Sequence, residues 1–499
     1  MANHLYDAVF ARHETSSAAF LHLSDGTTLS HQEVAAIATS LTEALAAIGI
    51  APGDRVAAQV EKSPTALALY AACLHAGAVF LPLNTSYTDH EVAFFLRDCA
   101  ASVLFCDPSR VAQLESVAAD TSAQLLTMAA DGTGNWRTPQ TRVRPAKAKR
   151  TGDDLAAILY TSGTTGRPKG AMLSHDNLLS NATALVDLWG MTAADTLLHA
   201  LPVYHSHGLF VACNVSLLAG ARMVYLAKFD PDRVISSLPD CTLMMGVPTF
   251  YTRLLASPVF TRDVSRNMRL FISGSAPLLA QTHQAFEDRT GHRILERYGL
   301  TETSMNTSNP LEGPRKSGTV GLPLPGVDLR IETSGQNATG EIQIKGPNVF
   351  KGYWGLKEKT ANAFTSDGYF QTGDLGEIDE DGYITIVGRS KDLIISGGLN
   401  IYPKEIETII DAQPEVDESA VIGLPDPDFG ERVVAIVVEN AKGAVDPISL
   451  KSMLARSLAK YKLPKEIIII DSLPRNSMGK VMKKDLRDLV YQDLLGMQD

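Results

Sequence analysis

Cysteine is scarce in this chain of 499 residues, and its five cysteines are scattered with no C-x-x-C pair. That spacing argues against a disulfide framework and against a zinc site, both of which need cysteines in paired positions. Thiols without such partners are typical of a reducing compartment, so we expect a cytoplasmic protein. The five residues are Cys73, Cys99, Cys106, Cys213 and Cys241.

Positive charge is also in deficit, because 45 Lys and Arg residues face 56 Asp and Glu residues, which gives a net charge of −11. Nucleic-acid-binding proteins favour a basic face, so we expect no nucleic-acid partner, although a local basic pocket is compatible with this balance. Long apolar runs are missing as well. The nearest approach, residues 66–83, contains a histidine, a glycine and a proline, and it fits a helix, a glycine stop and a strand better than a membrane span. We therefore expect no membrane partner.

The N-terminal part of the chain alternates helix and strand signals. A capping box begins at Ser30, and Ser63-Pro64 marks the start of a second helix. Short apolar strands are expected at residues 56–60, 78–83 and 102–106. This alternation predicts a doubly wound α/β fold, in which helices cover a parallel sheet.

The pattern of helix and strand signals changes in the later segments. Residues 120–150 are polar and mixed and fit a surface connection. Beyond Gly318, short strands alternate with glycine turns and predict a small β-rich subdomain. After residues 388–392 the chain restarts with strand and helix signals of its own. Because the chain is too long for one hydrophobic core, we expect an N-terminal domain over residues 1–389 and a small C-terminal domain over residues 390–499.

The most informative stretch is residues 160–170, Tyr-Thr-Ser-Gly-Thr-Thr-Gly-Arg-Pro-Lys-Gly. It follows an apolar run at residues 155–159 that predicts a buried strand, and Ser174 can cap a helix after it. Glycines let backbone N–H groups approach an anion, while the hydroxyls and Lys169 add donors and charge. The spacing differs from the P-loop pattern, so we expect a phosphate-holding loop of another kind between a strand and a helix.

Seven motifs in this order resemble those of the acyl-adenylate-forming enzymes, the superfamily that includes the acyl-CoA synthetases. The resemblance implies an AMP-forming acid–thiol ligase that uses ATP, CoA and Mg²⁺ and forms an acyl-adenylate before CoA attacks. It also implies that the α+β C-terminal domain is mobile. The motifs lie at residues 160–170, 274–277, 298–302, 369–374, 388–392, 396–401 and 474–480.

The resemblance assigns each part of an ATP site. Thr301 would contact the α-phosphate, and Glu302 with Thr165 would hold Mg²⁺, a hard cation suited to oxygen ligands. Asp374 would accept both ribose hydroxyls, with Arg389 in support. The residues implied for the β- and γ-phosphates are Thr161, Ser162, Gly163, Thr164, Thr165 and Lys169. The residues implied around the adenine and its neighbourhood are Gly274, Ser275, Ala276, Pro277, Glu296, Arg297, Tyr298 and Gly299.

Lys480 is implied as the catalytic residue of the first half-reaction. A cation between the substrate carboxylate and the α-phosphate brings two anions together for attack. The resemblance further implies that the small domain rotates about Lys391, so that Gly397 and Gly398, with His205, line a pantetheine tunnel. The glycine-flanked loop of Lys480 would also permit modification by a lysine acetyltransferase.

Arg297 indicates which acid is activated. It should lie beside the acyl site, because its neighbours are implied to touch ATP. A buried arginine suits a second carboxylate on the substrate, whereas a fatty acid would leave its charge unpaired. An ion pair with Glu296 or Glu302 is the structural alternative. The other side chains expected around the substrate carboxylate are His205, Ser206, Ser275 and Met305, with His207 as a further donor.

Residues 201–210, 296–302 and 305–310 are similar to those of the malonyl-CoA synthetases, a family in which the matching arginine binds the malonate carboxylate. The chain departs from that pattern at Ser206, where relatives usually have Thr, and at Leu300, where they usually have Met. Because serine has one methyl group fewer than threonine, Ser206 would leave more room for a 2-methyl group on the substrate. We therefore expect malonate as the substrate and methylmalonate as a second one.

Two other functions remain open. One is a ligase for short or aromatic monocarboxylates, with Arg297 in a structural role. The other is a stand-alone adenylation module that loads a carrier protein. The module is disfavoured because the chain ends soon after Lys480 and no acid is clearly placed to hold an amino group. A non-catalytic descendant is disfavoured because Lys169, Glu302 and Asp374 are present together with Lys480.

Overall fold

The computed structural model describes residues 2–136, 145–161, 168–333, 338–396, 399–476 and 479–496. Two large sheets, both mainly parallel, form the N-terminal part of this structure. Helices that connect the parallel strands pack on them, as the alternating sequence pattern predicts. The α-helices over this part are His4–Val9, His31–Ala47, Pro64–Ala76, Asp89–Cys99, Val111–Thr121, His175–Leu188, Asn214–Ala219, Pro231–Ser237, Pro248–Leu255, Ala280–Thr290 and Lys357–Ala361.

The first sheet has five parallel strands and one antiparallel edge strand. Its strands in spatial order are Gln124–Thr127, Val103–Cys106, Arg55–Gln59, Val79–Pro82, Leu155–Thr161 and Lys169–Ser174. The predicted helix starts are confirmed on this side of the molecule. Ser30 forms a capping box with Glu33, and the Ser63 hydroxyl accepts a hydrogen bond from the Ala66 N–H at 3.1 Å.

The second sheet has six parallel strands in its centre and antiparallel strands at both edges. Its strands in spatial order are Leu322–Pro323, Ser304–Ser308, Leu295–Leu300, Leu270–Ser273, Leu243–Gly246, Thr196–His199, Arg222–Tyr225, Ala19–His22 and Thr28–Ser30. The central strands are apolar and buried on both faces, which is typical of a sheet covered by helices.

The predicted β-rich subdomain is an antiparallel sheet of four strands. These strands are Asp328–Thr333, Gly340–Lys345, Phe370–Ile378 and Ile384–Arg389. A turn of 3-10 helix, Ser390–Asp392, follows the last strand directly.

The C-terminal part contains a sheet with its own hydrophobic clusters. Its strands are Ile394–Ser396, Leu399–Ile401, Val416–Asp426, Gly430–Glu439 and Glu466–Ile469, and its helices are Pro403–Asp411, Pro447–Ser457 and Lys483–Gly496. The predicted fold class, a large α/β part with a β-rich subdomain followed by a small α+β part, is confirmed. Within the described ranges, no helix is both long and apolar enough to cross a membrane.

Two local predictions were wrong. Strand Lys169–Ser174, antiparallel to Leu155–Thr161, separates the glycine-rich stretch from the helix that Ser174 caps, so a β-hairpin replaces the expected strand–loop–helix unit. Within residues 120–150, the segment Gln124–Thr127 is an edge strand rather than part of a surface connection. An edge strand is only half-buried, so a polar sequence can form it.

Candidate active site

The carboxyl ends of the central strands in the second sheet meet at one edge. Gly246, Ser273 and Arg297 lie on neighbouring strands there, and the chain after His199 leads to His205. Loops at this edge of a parallel sheet commonly form ligand sites. The sequence-predicted residues of the acyl pocket are therefore brought to one place by strand order.

Arg297 is buried, with only 3% of the residue exposed. Its Nε and Nη2 atoms have no hydrogen-bond partner within the described part of the chain. The guanidinium lies against Gly274, where an added β-carbon would come within 2.4 Å of Cζ and Nη1. Burial lowers the pKa of Arg297, although Tyr251 opposes the shift, and an arginine still keeps its charge near neutral pH.

The two candidate acidic partners of Arg297 are engaged elsewhere. Glu296 is the next residue of the same strand, where successive side chains point to opposite faces. Burial raises the pKa of Glu296 to about 8, and its carboxyl group accepts from the Gly318 N–H at 3.4 Å. Glu302 accepts from the hydroxyl of Tyr353. Neither carboxyl group forms an ion pair with Arg297, so the structural alternative for this arginine lacks its partner.

Two histidines surround Arg297 without adding positive charge. Burial and the Arg297 charge lower the pKa of His205 to about 4, and the same two causes hold the pKa of His207 well below its usual value. The backbone N–H of His207 donates to Nδ1 of the His205 imidazole at 3.2 Å. Both imidazoles are neutral at pH 7 and can serve as hydrogen-bond donors or acceptors.

Ser275 connects this group to the loop after strand Leu270–Ser273. Its backbone has a φ of 72°, the left-handed region in which non-glycine residues are uncommon. Its hydroxyl lies 3.2 Å from Nδ1 of His207. The hydroxyl of Ser206 and Nε2 of His207 are buried and have no hydrogen-bond partner among the described residues. The pocket therefore contains one buried cation and several unused polar atoms, which is what an anionic, hydrogen-bonding ligand requires.

Met305 packs against Gly299 of the neighbouring strand, since a β-carbon at that glycine would lie 2.5 Å from the Cε atom of Met305. Asn181 holds the Met305 backbone from both sides, donating to its carbonyl at 2.7 Å and accepting from its N–H at 3.2 Å.

Asp374 forms the second cluster. It is 2% exposed, and its two carboxylate oxygens accept from the Tyr298 hydroxyl at 2.6 Å and from Nε of Arg389 at 2.8 Å. Burial and the charge of Asp374 raise the pKa of Tyr298 well above its usual value, so that phenol keeps its proton. A carboxylate has about four acceptor positions, which leaves Asp374 capacity for ribose hydroxyls.

Lys480 approaches this cluster from the C-terminal part. Its side chain is close enough to Arg389 and Asp374 for their charges to act on it. Burial and Arg389 lower the pKa of Lys480 to about 8, and Asp374 opposes that shift. Gly479 lies against Thr249, because an added β-carbon would be 3.1 Å from the threonine hydroxyl. The predicted catalytic lysine thus faces the predicted ribose-binding aspartate.

The ends of the glycine-rich loop are described, whereas Ser162, Gly163, Thr164 and Thr165 lie outside the described residues, as do Gly397 and Gly398. Thr161 pairs with Lys169 across the hairpin. Nζ of Lys169 lies 4.4 Å from the ring centroid of Tyr353. Thr301 and Glu302 lie in the turn between strands Leu295–Leu300 and Ser304–Ser308.

Glu302 is suited to a magnesium ion. Its Oε1 atom accepts from the Tyr353 hydroxyl at 3.0 Å, which fixes the carboxylate and leaves further acceptor positions. Mg²⁺ is commonly held by one or two carboxylates together with substrate phosphates and water. Among the residues described, no three His, Cys, Asp or Glu side chains are grouped so that they could hold a metal ion.

Two residues at or near the site had no signal in the sequence. Tyr353 contacts both Lys169 and Glu302. Lys62 is buried, and its Nζ lies 2.8 Å from Nδ1 and from the carbonyl oxygen of His199. These contacts join segments far apart in the chain, so no local spacing predicts them.

Known proteins are similar to this chain over most of its length. The family model described as AMP-binding enzyme matches residues 7–354, and the AMP-binding enzyme C-terminal domain matches residues 405–480. The malonate–CoA ligase of Arabidopsis thaliana is 38% identical over 94% of this chain and 82% of its own. The indoleacetate–CoA ligase of Aromatoleum aromaticum is 37% identical over 93% of both chains.

A solved structure is similar over nearly the whole chain. The ATP-bound crystal structure of MatB from Rhodopseudomonas palustris is 50% identical and covers 99% of this chain and 100% of that one, with a TM-score of 0.95.

Proposed function

The chain belongs to the AMP-binding enzyme family, and from that premise we propose that it is an ATP-dependent malonate–CoA ligase. A malonate carboxylate oxygen bonds to the α-phosphorus of ATP, and the bond to pyrophosphate breaks. The CoA sulfur, after losing its proton, then bonds to the acyl carbon, and AMP leaves. Methylmalonate is the second substrate of the same site. The similarity to the malonate–CoA ligase of Arabidopsis thaliana and to MatB supports this substrate class.

The observation that carries the proposal is the unpaired guanidinium of Arg297. Burying an arginine without a partner is costly, and a site that does so needs an anion from its ligand. A planar carboxylate matches the guanidinium with two parallel hydrogen bonds. Arg297 therefore binds the carboxylate that does not react, which leaves the other carboxylate free for ATP.

The neighbours of Arg297 give the pocket its selectivity. His205, His207 and Ser275 offer hydrogen bonds without a second positive charge. A second cation would add repulsion around Arg297 and weaken the discrimination between a diacid and a monoacid. Ser206 and Met305 bound the space beside the α-carbon, and the small serine side chain leaves room for the extra methyl group of methylmalonate.

The ATP side uses the second cluster. Asp374 accepts the ribose hydroxyls, while Arg389 and the Tyr298 hydroxyl hold its carboxylate in place. Protonated Lys480 lies between the reacting carboxylate and the α-phosphate and reduces their mutual repulsion. Thr301 contacts the α-phosphate, and Lys169 with Thr161 and the loop between them binds the β- and γ-phosphates. Glu302 would hold Mg²⁺, which would supply positive charge against the phosphates.

The remaining assignments concern the second half-reaction and the setting. The chain divides at residues 389/390, and the two family matches on either side support this boundary. Lys391 lies in the short helix between the two sheets, where a hinge would act. His205, Gly397 and Gly398 line the route of pantetheine. The cytoplasmic location is supported by five buried, free cysteines. Modification of Lys480 by a lysine acetyltransferase stays a prediction.

The proposal is tested by CoA- and Mg-ATP-dependent AMP release with malonate, methylmalonate, acetate, butyrate and benzoate side by side. We expect turnover on malonate, alone or together with methylmalonate, and little AMP from the three monoacids. Preference for a monoacid would favour the runner-up function, a monocarboxylate–CoA ligase, for which the indoleacetate–CoA ligase provides a precedent. Sustained AMP release without CoA but with a carrier protein would favour the adenylation module.

A further inference from the structure

Residues 350–354 connect the two sides of the proposed triphosphate site. We call these residues the bracing segment. The Phe350 N–H donates to the Glu302 carbonyl at 2.8 Å. Further along, the Met172 N–H donates to the Gly352 carbonyl at 2.9 Å and the Trp354 N–H to the Gly170 carbonyl at 2.8 Å. The segment therefore joins the turn of Glu302 to the strand that begins at Lys169.

Tyr353 is the member of this segment that contacts functional side chains on both sides. Its hydroxyl donates to Oε1 of Glu302 at 3.0 Å, and Nζ of Lys169 lies 4.4 Å from its ring centroid. The ring is held firmly, because Tyr353 is 6% exposed and packs edge-on against Phe350 at 4.8 Å. Its N–H donates to the hydroxyl of Thr360 at 2.9 Å.

We propose that Tyr353 is a positioning residue that holds the Glu302 carboxylate and the Lys169 ammonium group apart and ready for Mg²⁺ and phosphate. This inference rests on the proposed function, in which both groups serve the triphosphate. If the Glu302 carboxylate and the Lys169 ammonium group formed an ion pair with each other, that pair would have to break before they could bind Mg²⁺ and phosphate. Tyr353 instead binds each through a neutral group, the ring face for the cation and the hydroxyl for the anion.

The test separates the two contacts of Tyr353. Tyr353→Phe keeps the ring beneath Lys169 and removes the hydrogen bond to Glu302, whereas Tyr353→Leu removes both. ATP binding is measured by calorimetry without acid or CoA, once with excess Mg²⁺ and once with EDTA. For Tyr353→Phe we expect roughly tenfold weaker binding of Mg-ATP, the effect of losing a hydrogen bond to a charged group, and unchanged binding in EDTA. Tyr353→Leu should also weaken binding in EDTA severalfold.

Tyr369→Phe is the matched control. Its hydroxyl also donates to a carboxylate, that of Asp328, on an exposed part of the β-rich sheet, so both binding constants should stay unchanged. Equal losses with and without Mg²⁺ in Tyr353→Phe, or no loss in either, would overturn the inference. If Tyr353→Phe shows the Mg²⁺-specific loss of ATP binding but the native enzyme does not use malonate, only the proposed substrate is contradicted.

Discussion

Gly274 and Arg297 are in such close contact that a side chain at position 274 would occupy the space of the guanidinium. An added β-carbon would lie 2.4 Å from Cζ and Nη1 of Arg297, well inside contact distance. The glycine thus lies against the arginine proposed to bind the second carboxylate, in addition to its predicted place in the adenine wall. Its absence of a side chain allows the buried guanidinium to lie beneath the loop of Ser275.

Gly274→Ala should therefore displace Arg297 and reduce the use of malonate. Overpacking of this kind costs about 1–3 kcal/mol, so we expect kcat/KM for malonate to fall roughly tenfold or more. The slow reaction with acetate needs no second carboxylate and should change much less. Steady-state AMP release with both acids measures this difference. An equal fall for both acids would place the effect in nucleotide binding instead.

Lys480 should give the first half-reaction an alkaline limit. Burial and Arg389 lower its pKa to about 8, and the lysine assists only while protonated, so activity should decline as the pH rises above about 8. Because kcat/KM reports the free enzyme, the pH profile of kcat/KM for malonate is the appropriate measurement. Lys480→Arg keeps the cation and should move the alkaline limit to higher pH. An unchanged limit in Lys480→Arg would assign it to another group.

Lys480→Ala should separate the two half-reactions. Acyl-adenylate formation, measured as pyrophosphate release, should be abolished because the two reacting anions lose their shared cation. Attack of CoA on supplied malonyl-adenylate should largely survive, because that step does not bring two anions together. Comparable losses in both assays would contradict the role given to this lysine.

Asp374→Asn should destabilise the protein as well as weaken ATP binding. Asparagine would leave Arg389, whose side chain is 29% exposed, without its ion-pair partner. Breaking a fully buried pair costs about 3–5 kcal/mol, and the partial exposure of Arg389 reduces that cost. We expect Tm to fall by a few degrees. Asp367→Asn, which breaks the exposed pair with Arg330, is the control and should leave Tm nearly unchanged. Equal falls in Tm in both variants would show that the Asp374–Arg389 pair contributes no more to stability than the exposed Asp367–Arg330 pair.

His31 should make the folded state sensitive to acid. It is stacked on Phe20 at 4.3 Å and on His13 at 4.5 Å between ring centroids, and burial, with His13, lowers its pKa to about 4. The unfolded chain binds a proton near pH 6.5 and the folded chain does not, so the contribution is full above pH 6.5 and is lost as the pH falls toward 4. His31→Phe keeps the stacking. The loss of Tm between pH 7 and pH 5 should be smaller in this variant, and an unchanged loss would show that His31 is not involved.

The sequence predicted the elements of this fold better than their connections. Ser30 and Ser63 predicted the helix starts correctly, because capping is a local interaction that the sequence shows directly. The hairpin strand Lys169–Ser174 was missed, since its pairing with Leu155–Thr161 depends on a contact across the loop. The edge strand Gln124–Thr127 was missed because half-burial leaves no apolar run.

The same limit applies to the site. The resemblance to the acyl-adenylate-forming enzymes indicated Asp374, Lys480 and Arg297, but their mutual placement depends on strand order and on the position of the C-terminal part. Nothing in the sequence showed that Tyr298 donates to Asp374 or that Tyr353 contacts Glu302. A tyrosine in a strand or turn has no local pattern that distinguishes a packing ring from one that orients a carboxylate.

The most direct test of the account is the ratio of kcat/KM for malonate to that for acetate in the native enzyme and in Arg297→Ala. If Arg297 binds the second carboxylate, the ratio should be large in the native enzyme and should fall roughly a hundredfold or more in the variant, because truncating one partner of a buried charge pair costs about 2–5 kcal/mol. Acetate turnover and ATP affinity should be nearly preserved. A proportionate loss for both acids, or a native enzyme that prefers acetate, would contradict the assignment of Arg297 and of malonate.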